Sequence, residues 1–363
     1  RASDTSYNRM HAAIPTSIHA KISKLTSEHT LFSRRGNLIF GGKVLHFNPE
    51  DAARLLINKA ARVGAEQSMR WLTRVHTTEV ADIRYVAEVF NLHLGTPYEF
   101  SNGVRFGYVD SVPDTKMGGQ YKLHHTRPRN FFDADRPIAA IHEVRSVRGK
   151  TSFRGYARSE SIDLTVVAHA LAHEDAAPFV GTSWVEFVDP ELEETDFARA
   201  GVSMSLYDGP APGYLPIWSM NTDGVPAIEA VLQLSKDLRN KVEVAASRLI
   251  MARNRVSPAN KALDGCICLE ALLTDNQKTE LTYKLALRAA LLVGVDVDDR
   301  REIRKKLQDF YDLRSRAVHG VVDKSKETDS QVARDGMSIC ARVLQKIVEL
   351  KAIPKWADLE MGA

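Results

Sequence analysis

The chain has 363 residues, of which 44% are hydrophobic and 26% are charged, and its formal net charge is +3. This composition is ordinary for a globular protein, and the length is enough for two domains with real cores. It excludes a disordered or collagen-like chain, and the weakly positive charge does not by itself indicate nucleic-acid binding.

Three cysteines, Cys266, Cys268 and Cys340, are too few and too irregularly spaced for a disulfide framework or a Cys-x2-Cys zinc site. They favour a reducing compartment, and the expected localisation is cytoplasmic. No apolar region of a signal peptide follows the polar first residues. The longest apolar stretch, at 285–297, is short and contains Arg288, so no membrane span is predicted.

The first structural signal in chain order is a hairpin at residues 39–45, where two apolar runs flank a Gly-Gly pair. Asn48 and Pro49 then predict the start of a helix, as its N-cap and first helical residue. Its apolar residues would be Ala52, Leu55, Leu56 and Ala60.

Further strands are predicted at 103–109, 139–147 and 183–188, separated by Gly, Pro and Asp. Residues 1–220 therefore read as an α+β domain. Two Pro/Gly-rich breaks, at 208–213 and 223–226, place the domain boundary near residue 220.

Residues 221–363 predict an all-α bundle, because apolar residues recur at steps of three and four through five segments. The five stripes are Val231/Leu234/Leu238/Val242/Ala245/Leu249, Leu263/Cys266/Ile267/Glu270/Leu273, Leu281/Leu285/Ala289/Leu292, Ile303/Leu307/Phe310/Arg314/Ala317 and Ile339/Val343/Ile347/Leu350. Gly320 is the predicted C-cap of the fourth helix, and Pro354 follows the fifth.

Two charged residues interrupt these stripes. Arg314 follows Ile303 by eleven residues, and Glu270 follows Leu263 by seven, so both fall on inner faces. A buried charge needs a partner. One interpretation is a structural Glu270–Arg314 ion pair, and the other is a cleft in which Arg314 meets a phosphate. The residues alone favour the first, and the two are compatible.

Three segments occur in order on successive predicted helices. They are Leu-Glu-Ala-Leu-Leu at 269–273, Glu-Leu-Thr-Tyr-Lys-Leu-Ala-Leu-Arg-Ala-Ala at 280–290, and Tyr-Asp-Leu-Arg-Ser-Arg-Ala-Val-His-Gly at 311–320. Together they resemble the Apea-like branch of the HEPN family, over roughly residues 226 to 350. An Arg-x4-His motif alone would carry no weight, but the ordered set is more specific.

The resemblance implies a metal-independent endoribonuclease that needs no cofactor. It assigns Arg314 and His319 as the catalytic residues, facing a cleft shared by two protomers of a homodimer. His319 would exchange protons with the ribose 2′-hydroxyl, and Arg314 would stabilise the phosphate. The products would carry 2′,3′-cyclic phosphate and 5′-hydroxyl ends. These residue types suit the roles, since His titrates near neutrality and Arg is a permanent forked donor.

Helical geometry limits how Arg314 and His319 can cooperate. On a continuous helix the two residues are about 140° apart, so they converge only across a helix end or a dimer interface. Arg316 is three residues before His319 and would be the closer local phosphate contact. Ser315 fits the polar position that often follows the arginine in the family. Seven Lys or Arg residues against three acids over 300–316 give weak support for an RNA substrate.

Two other motifs are weighed and set aside. Gly149-Lys150-Thr151 resembles the end of a P-loop, but Val144 stands where its first glycine belongs. His169 and His173 have the spacing of a metal pair, yet a core or surface role is favoured and no metal site is predicted.

The leading hypothesis is an RNA-cleaving toxin or antiviral-defence effector acting on tRNA or mRNA. Its region 1–220 would sense a trigger such as phage infection, restrain the activity or select the RNA. The alternative is a non-catalytic HEPN dimerisation module that binds RNA or another ligand. A third possibility is a subunit that works only with a regulatory partner protein, such as a nucleotidyltransferase, whose signature this chain lacks.

Overall fold

A computed structural model gives the fold of this chain. It describes residues 15–29, 36–40, 43–47, 49–125, 138–149, 159–174, 176–194, 203–204, 218–220, 223–274, 281–318 and 327–361.

The N-terminal region combines helices with short and long strands. Its helices are α1 (Thr16–Glu28), α2 (Pro49–Val63), α3 (Ala65–Thr77), α4 (Lys116–His125), α5 (Glu160–Ala168) and α6 (Pro190–Glu193). Its strands are β1 (Gly36–Phe40), β2 (Lys43–Phe47), β3 (Val80–Phe90), β4 (Leu92–Leu94), β5 (Tyr98–Glu99), β6 (Val104–Tyr108), β7 (Ile138–Val147), β8 (Phe179–Phe187), β9 (Ser203–Met204) and β10 (Trp218–Met220).

An antiparallel sheet forms the centre of this region, with strand order β5-β6-β7-β3-β8-β9. The strand pair β1 and β2 forms a separate antiparallel hairpin, and β10 pairs in parallel with β4. Phe40 faces Lys43 across the hairpin end, which leaves two residues for the turn and confirms the predicted hairpin.

The other local predictions for this region also hold. Helix α2 begins at Pro49, as its position as first helical residue predicts. Asn48, the expected N-cap, lies outside the described residues. The strands predicted at 103–109, 139–147 and 183–188 correspond to β6, β7 and β8.

Strand β3 was not predicted, although it lies between β7 and β8 and pairs with both along most of its length. Its first half alternates in burial: Ala81 and Ile83 are buried, whereas Asp82 is exposed. This two-residue period is typical of a strand with one covered face. The second half, from Val86 to Val89, is continuously buried, because both faces of the strand are covered there.

The C-terminal region is all-helical, as predicted. Its helices are α7 (Val225–Leu232), α8 (Lys236–Asn254), α9 (Pro258–Leu273), α10 (Leu281–Val293), α11 (Val297–Val318), α12 (Glu327–Leu350) and α13 (Trp356–Glu360). The prediction of one helix across the first stripe is wrong, since the chain turns at Gln233 and α8 starts after Ser235. Leu234 is buried in that turn, which explains why it continued the stripe. The short helix α13 was not predicted.

One apolar core joins the two regions. The inner side of the sheet, including Phe106 and Ile138, packs in the same cluster as helix α5 and the helices from α7 onward. A second cluster, farther along the same face of the sheet, contains Trp71, Leu72 and Phe187 and anchors α2 and α3. The opposite face carries a third cluster, which includes Val86 and Trp184. The α+β and all-α classes are confirmed, and the division into 1–220 and 221–363 stays a prediction. Within the described ranges, each helix is too short or too polar to span a bilayer.

Candidate functional site around Glu270 and Arg314

Helices α9 and α11 bring Glu270 and Arg314 together near the C-terminal end of each helix. The Arg314 Nη1 atom lies 3.1 Å from the Glu270 Oε1 atom, which confirms the ion pair that the interrupted stripes predicted. Ile303, Leu307 and Phe310 are buried on the same side of α11. The pair itself is half-buried, since the side chains of Arg314 and Glu270 keep 30% and 24% of their accessible surface.

The pair is a charge contact without the alignment of a hydrogen bond. Among the described residues, the Glu270 Oε1 atom and the Arg314 Nε atom are buried without a hydrogen-bond partner. Burial raises the pKa of the Glu270 carboxyl, and the positive charge of Arg314 only partly opposes this effect. Desolvation therefore outweighs the attraction between the two charges. Part of the Arg314 side chain remains accessible to a ligand.

Tyr311 and Cys266 lie beneath the pair. The Arg314 guanidinium carbon is 6.0 Å from the centroid of the Tyr311 ring, at the outer limit of a cation–π contact. Burial raises the pKa of the Tyr311 hydroxyl, and the nearby Cys266 and Glu270 raise it further. Burial likewise raises the pKa of the Cys266 thiol. Both groups therefore stay neutral near pH 7, and the Glu270–Arg314 pair packs on uncharged side chains.

The last turn of α11 carries the other predicted residues. Arg316 donates to both carboxylate oxygens of Asp329 on α12, at 2.7 and 3.4 Å. Its charge is thus neutralised within the bundle. Ser315 is exposed. His319 and Gly320 lie outside the described residues, so the convergence of Arg314 with His319 stays a prediction.

Sequence reasoning missed Tyr311, Cys266 and Asp329 as neighbours of this site. Tyr311 and Cys266 looked like ordinary core residues, although Tyr311 precedes Arg314 by three and therefore shares its helix face. Asp329 lies thirteen residues beyond Arg316, across a helix connection, and no spacing rule links the two.

Of the two motifs set aside above, the histidine pair lies within the described residues. His169 is fully buried and stacks on Phe106 at 5.4 Å, whereas His173 is exposed. Burial lowers the pKa of His169 to about 4. Lys150 and Thr151 of the P-loop-like segment lie outside the described residues. Within the described part of the chain, no group of three His, Cys, Asp or Glu side chains is placed to hold a metal ion.

A scan against protein-family models and searches of curated proteins and solved structures found no match to this chain.

Proposed function

We propose that this protein is a metal-independent endoribonuclease that cleaves tRNA or mRNA at a site formed by Arg314 and His319. Its biological role in this proposal is that of a cytoplasmic toxin or antiviral-defence effector. The proposal rests on the ordered resemblance to the Apea-like HEPN family, together with the surroundings of Arg314.

The observation that carries the proposal is the way Arg314 is held. Its guanidinium lies at the end of an otherwise apolar helix face and contacts Glu270, and its side chain keeps 30% of its surface exposed. A purely structural pair would be stabilised by complete hydrogen bonding, because uncompensated desolvation destabilises the fold. A partly exposed, positioned arginine five residues before a histidine suits phosphate binding.

The proposed reaction is an intramolecular transesterification. His319 removes the proton from a ribose 2′-hydroxyl, and the 2′-oxygen attacks the adjacent phosphorus. The bond from phosphorus to the 5′-oxygen breaks, and that oxygen takes up a proton to become a 5′-hydroxyl. Arg314 stabilises the additional negative charge on the phosphoryl oxygens. A homodimer supplies the second protomer's copy of both residues at a shared cleft.

Cleavage of defined tRNA and mRNA by the purified full chain, with mapping of the ends, tests this proposal. We expect 5′-hydroxyl and 2′,3′-cyclic phosphate ends, and activity that persists in a metal chelator. His319→Ala should slow cleavage about 10²- to 10⁴-fold, the range for loss of a general acid–base. Arg314→Ala should abolish cleavage while the protein stays folded. Equal activity of His319→Ala and the parent protein would refute the assignment.

A non-catalytic dimerisation and binding module is the second candidate. It is favoured by one observation: both arginines of the last turn of α11 already contact carboxylates, Arg314 with Glu270 and Arg316 with Asp329. Under this alternative, RNA or another ligand binds without being cleaved, and a partner protein performs the chemistry. RNA that is bound yet recovered intact would favour it.

A further inference from the structure

An exposed aromatic side chain on α10 contacts an arginine of α11, the helix that also carries Arg314. The Arg304 guanidinium carbon on α11 lies 4.5 Å from the centroid of the Tyr283 ring on α10. Tyr283 nonetheless keeps 47% of its surface exposed. A tyrosine that only packed against its own protein would cover more of its ring, so one aromatic surface is presented to solvent.

Within the described part of the chain, Arg304 lacks the acidic partner that Arg301 and Lys306 have. Arg301 pairs with Asp298 and Lys306 pairs with Glu302, both on the same helix. Among the described residues, Arg304 forms no ion pair, and Tyr283 is its only aromatic contact. Its positive charge is therefore available to an anionic ligand beside the exposed ring.

The side of α11 that carries Arg304 lies about 80° around the helix axis from Arg314. Arg300, Arg304 and Gln308 follow one another at steps of four and share one side of the helix. Seen along the axis, Glu302 and Asp309 project about 160° and 140° from Arg304, and Asp312 about 80°. This side of the helix is thus free of acids as far as Gln308.

The distance between the two features suits a strand of nucleotides. Ten residues separate Arg304 from Arg314, which is about 15 Å along the helix axis. Helix α10 begins at Leu281 and is joined to α11 by the short connection 294–296, and Tyr283 lies beside the middle of α11, where Arg304 contacts it. A base on Tyr283 and a phosphate at Arg314 can therefore belong to one short segment of strand.

We propose that Tyr283 and Arg304 form a base-stacking platform for single-stranded RNA, whose phosphate backbone continues along α11 to Arg314. Aromatic rings and guanidinium planes bind unpaired bases by stacking, whereas a duplex conceals its base faces. This inference rests on the proposed ribonuclease function and adds to it that the substrate is unpaired around the cleavage site.

Binding to RNA that cannot react separates the platform from catalysis. The probe is a fluorescent RNA oligonucleotide with 2′-O-methyl groups on every ribose, either single-stranded or annealed to its complement. The missing 2′-hydroxyl prevents cleavage whatever the state of the active site. We expect the full chain to bind the single strand more tightly than the duplex. Tyr283→Leu should weaken single-strand binding about tenfold, as expected for the loss of one stacked base.

Two variants serve as matched controls. Tyr283→Phe keeps the ring and should bind like the parent protein. Lys305→Ala removes one charge from the residue beside Arg304 but on another side of α11, and should leave the affinity nearly unchanged. Arg304→Ala should weaken binding and reduce its salt dependence by about one phosphate contact.

Each result has a defined meaning. The platform is refuted if Tyr283→Leu binds like the parent protein, if Arg304→Ala and Lys305→Ala behave alike, or if the duplex binds as tightly as the single strand. Failure to bind the single strand at all refutes it too. The ribonuclease proposal is tested separately, by comparing His319→Ala with the parent protein on unmodified RNA, so either proposal can fail while the other stands.

Discussion

The sheet region and the helical region differ in how they hold charged side chains away from water. On the sheet, Glu186 is completely buried and accepts hydrogen bonds from Arg84, Thr115 and Trp184. In the helical region, the Glu270–Arg314 pair stays half-exposed and incompletely hydrogen-bonded.

The difference separates a structural charge pair from one that remains open to a ligand. A fully enclosed pair with all its hydrogen bonds made has nothing left to offer a substrate. An incompletely satisfied pair at the end of a helix does. Four predictions compare the two regions, beginning with the largest expected effect.

Removing the arginine of the charge pair should lower the free energy of unfolding much more on the sheet than in the helical region. Arg84→Ala leaves the carboxylate of Glu186 buried without its counter-charge, and should lower the free energy of unfolding by about 3–5 kcal/mol. Arg314→Ala should lower it by less than about 1 kcal/mol, because both side chains are partly exposed and their contact is not an aligned hydrogen bond. Urea denaturation followed by circular dichroism measures both values.

Arg145→Ala is the control for the sheet variant. Arg145 on β7 also pairs with an acid on β3, Asp82, at 3.2 Å, but it is 77% exposed. Its loss should cost at most about 1 kcal/mol. If Arg84→Ala were no more damaging than Arg145→Ala, or if Arg314→Ala matched Arg84→Ala, the contrast between the regions would disappear.

His169 should make the protein's stability depend on pH. Its ring is fully buried, burial lowers its pKa to about 4, and the Nδ1 atom lies 2.7 Å from the carbonyl oxygen of Thr165. The folded state binds fewer protons than the unfolded state between pH 6.5 and about 4. Stability should therefore fall as pH drops through this interval, by about 3 kcal/mol from this group alone.

Unfolding free energies of the parent protein and His169→Gln, measured across this pH range, isolate the contribution. The parent's curve should be steeper, whatever the overall stability of the variant. Parallel curves would mean that His169 does not stay neutral in the fold.

Packing against Phe310 should make alanine unfavourable at Gly336 in the helical region. A Cβ atom added at Gly336 on α12 would lie 2.3 Å from the ring of Phe310, which is itself fully buried. Overpacking costs about 1–3 kcal/mol, whereas alanine in a helix gains only about 1 kcal/mol over glycine. Gly336→Ala should therefore destabilise the protein, by up to about 2 kcal/mol in thermal or urea unfolding.

Gly119→Ala is the matched substitution in the sheet region. Gly119 also lies in a helix, α4, but a Cβ atom there would have no neighbour within 4 Å. Helix propensity then acts alone, and the variant should be as stable as the parent protein or slightly more stable. Equal destabilisation by the two substitutions would rule out the Phe310 contact as the cause.

The parts of the fold that sequence predicted are those governed by local rules. Pro49 marks the start of α2 because its ring fixes φ, and the Gly-Gly pair predicts the hairpin because glycine tolerates the positive φ of a two-residue turn. Strand β3 escaped prediction because its buried second half loses the two-residue period. The break at Gln233 escaped because Leu234 stays buried through the turn and so continues the stripe.

The candidate site was only partly predictable for the same reason. Glu270 and Arg314 could be paired in advance, since a charge on each of two apolar faces needs a partner. The contact between Tyr283 and Arg304 could not be predicted, because it depends on how α10 and α11 pack against each other. The pairing of Arg316 with Asp329 likewise depends on the placement of α12.

The smallest expected effect comes from Glu270, and its sign is opposite to that of His169. Burial raises the pKa of Glu270, so the folded state holds its proton to a higher pH than the unfolded state does. This contribution is present at low pH, and it is lost as pH rises from the unfolded value near 4.5 towards the raised pKa of the folded state.

The difference in unfolding free energy between the parent protein and Glu270→Gln should therefore shrink as pH rises through this interval, while remaining below about 1 kcal/mol. Growth of this difference with pH would mean that attraction to Arg314 exceeds the desolvation of the carboxylate. The pair would then resemble Arg84–Glu186, and Arg314 would be committed to the fold. A difference that shrinks as pH rises would mean that the guanidinium is only weakly bound to Glu270. Phosphate binding at this site requires such weak binding.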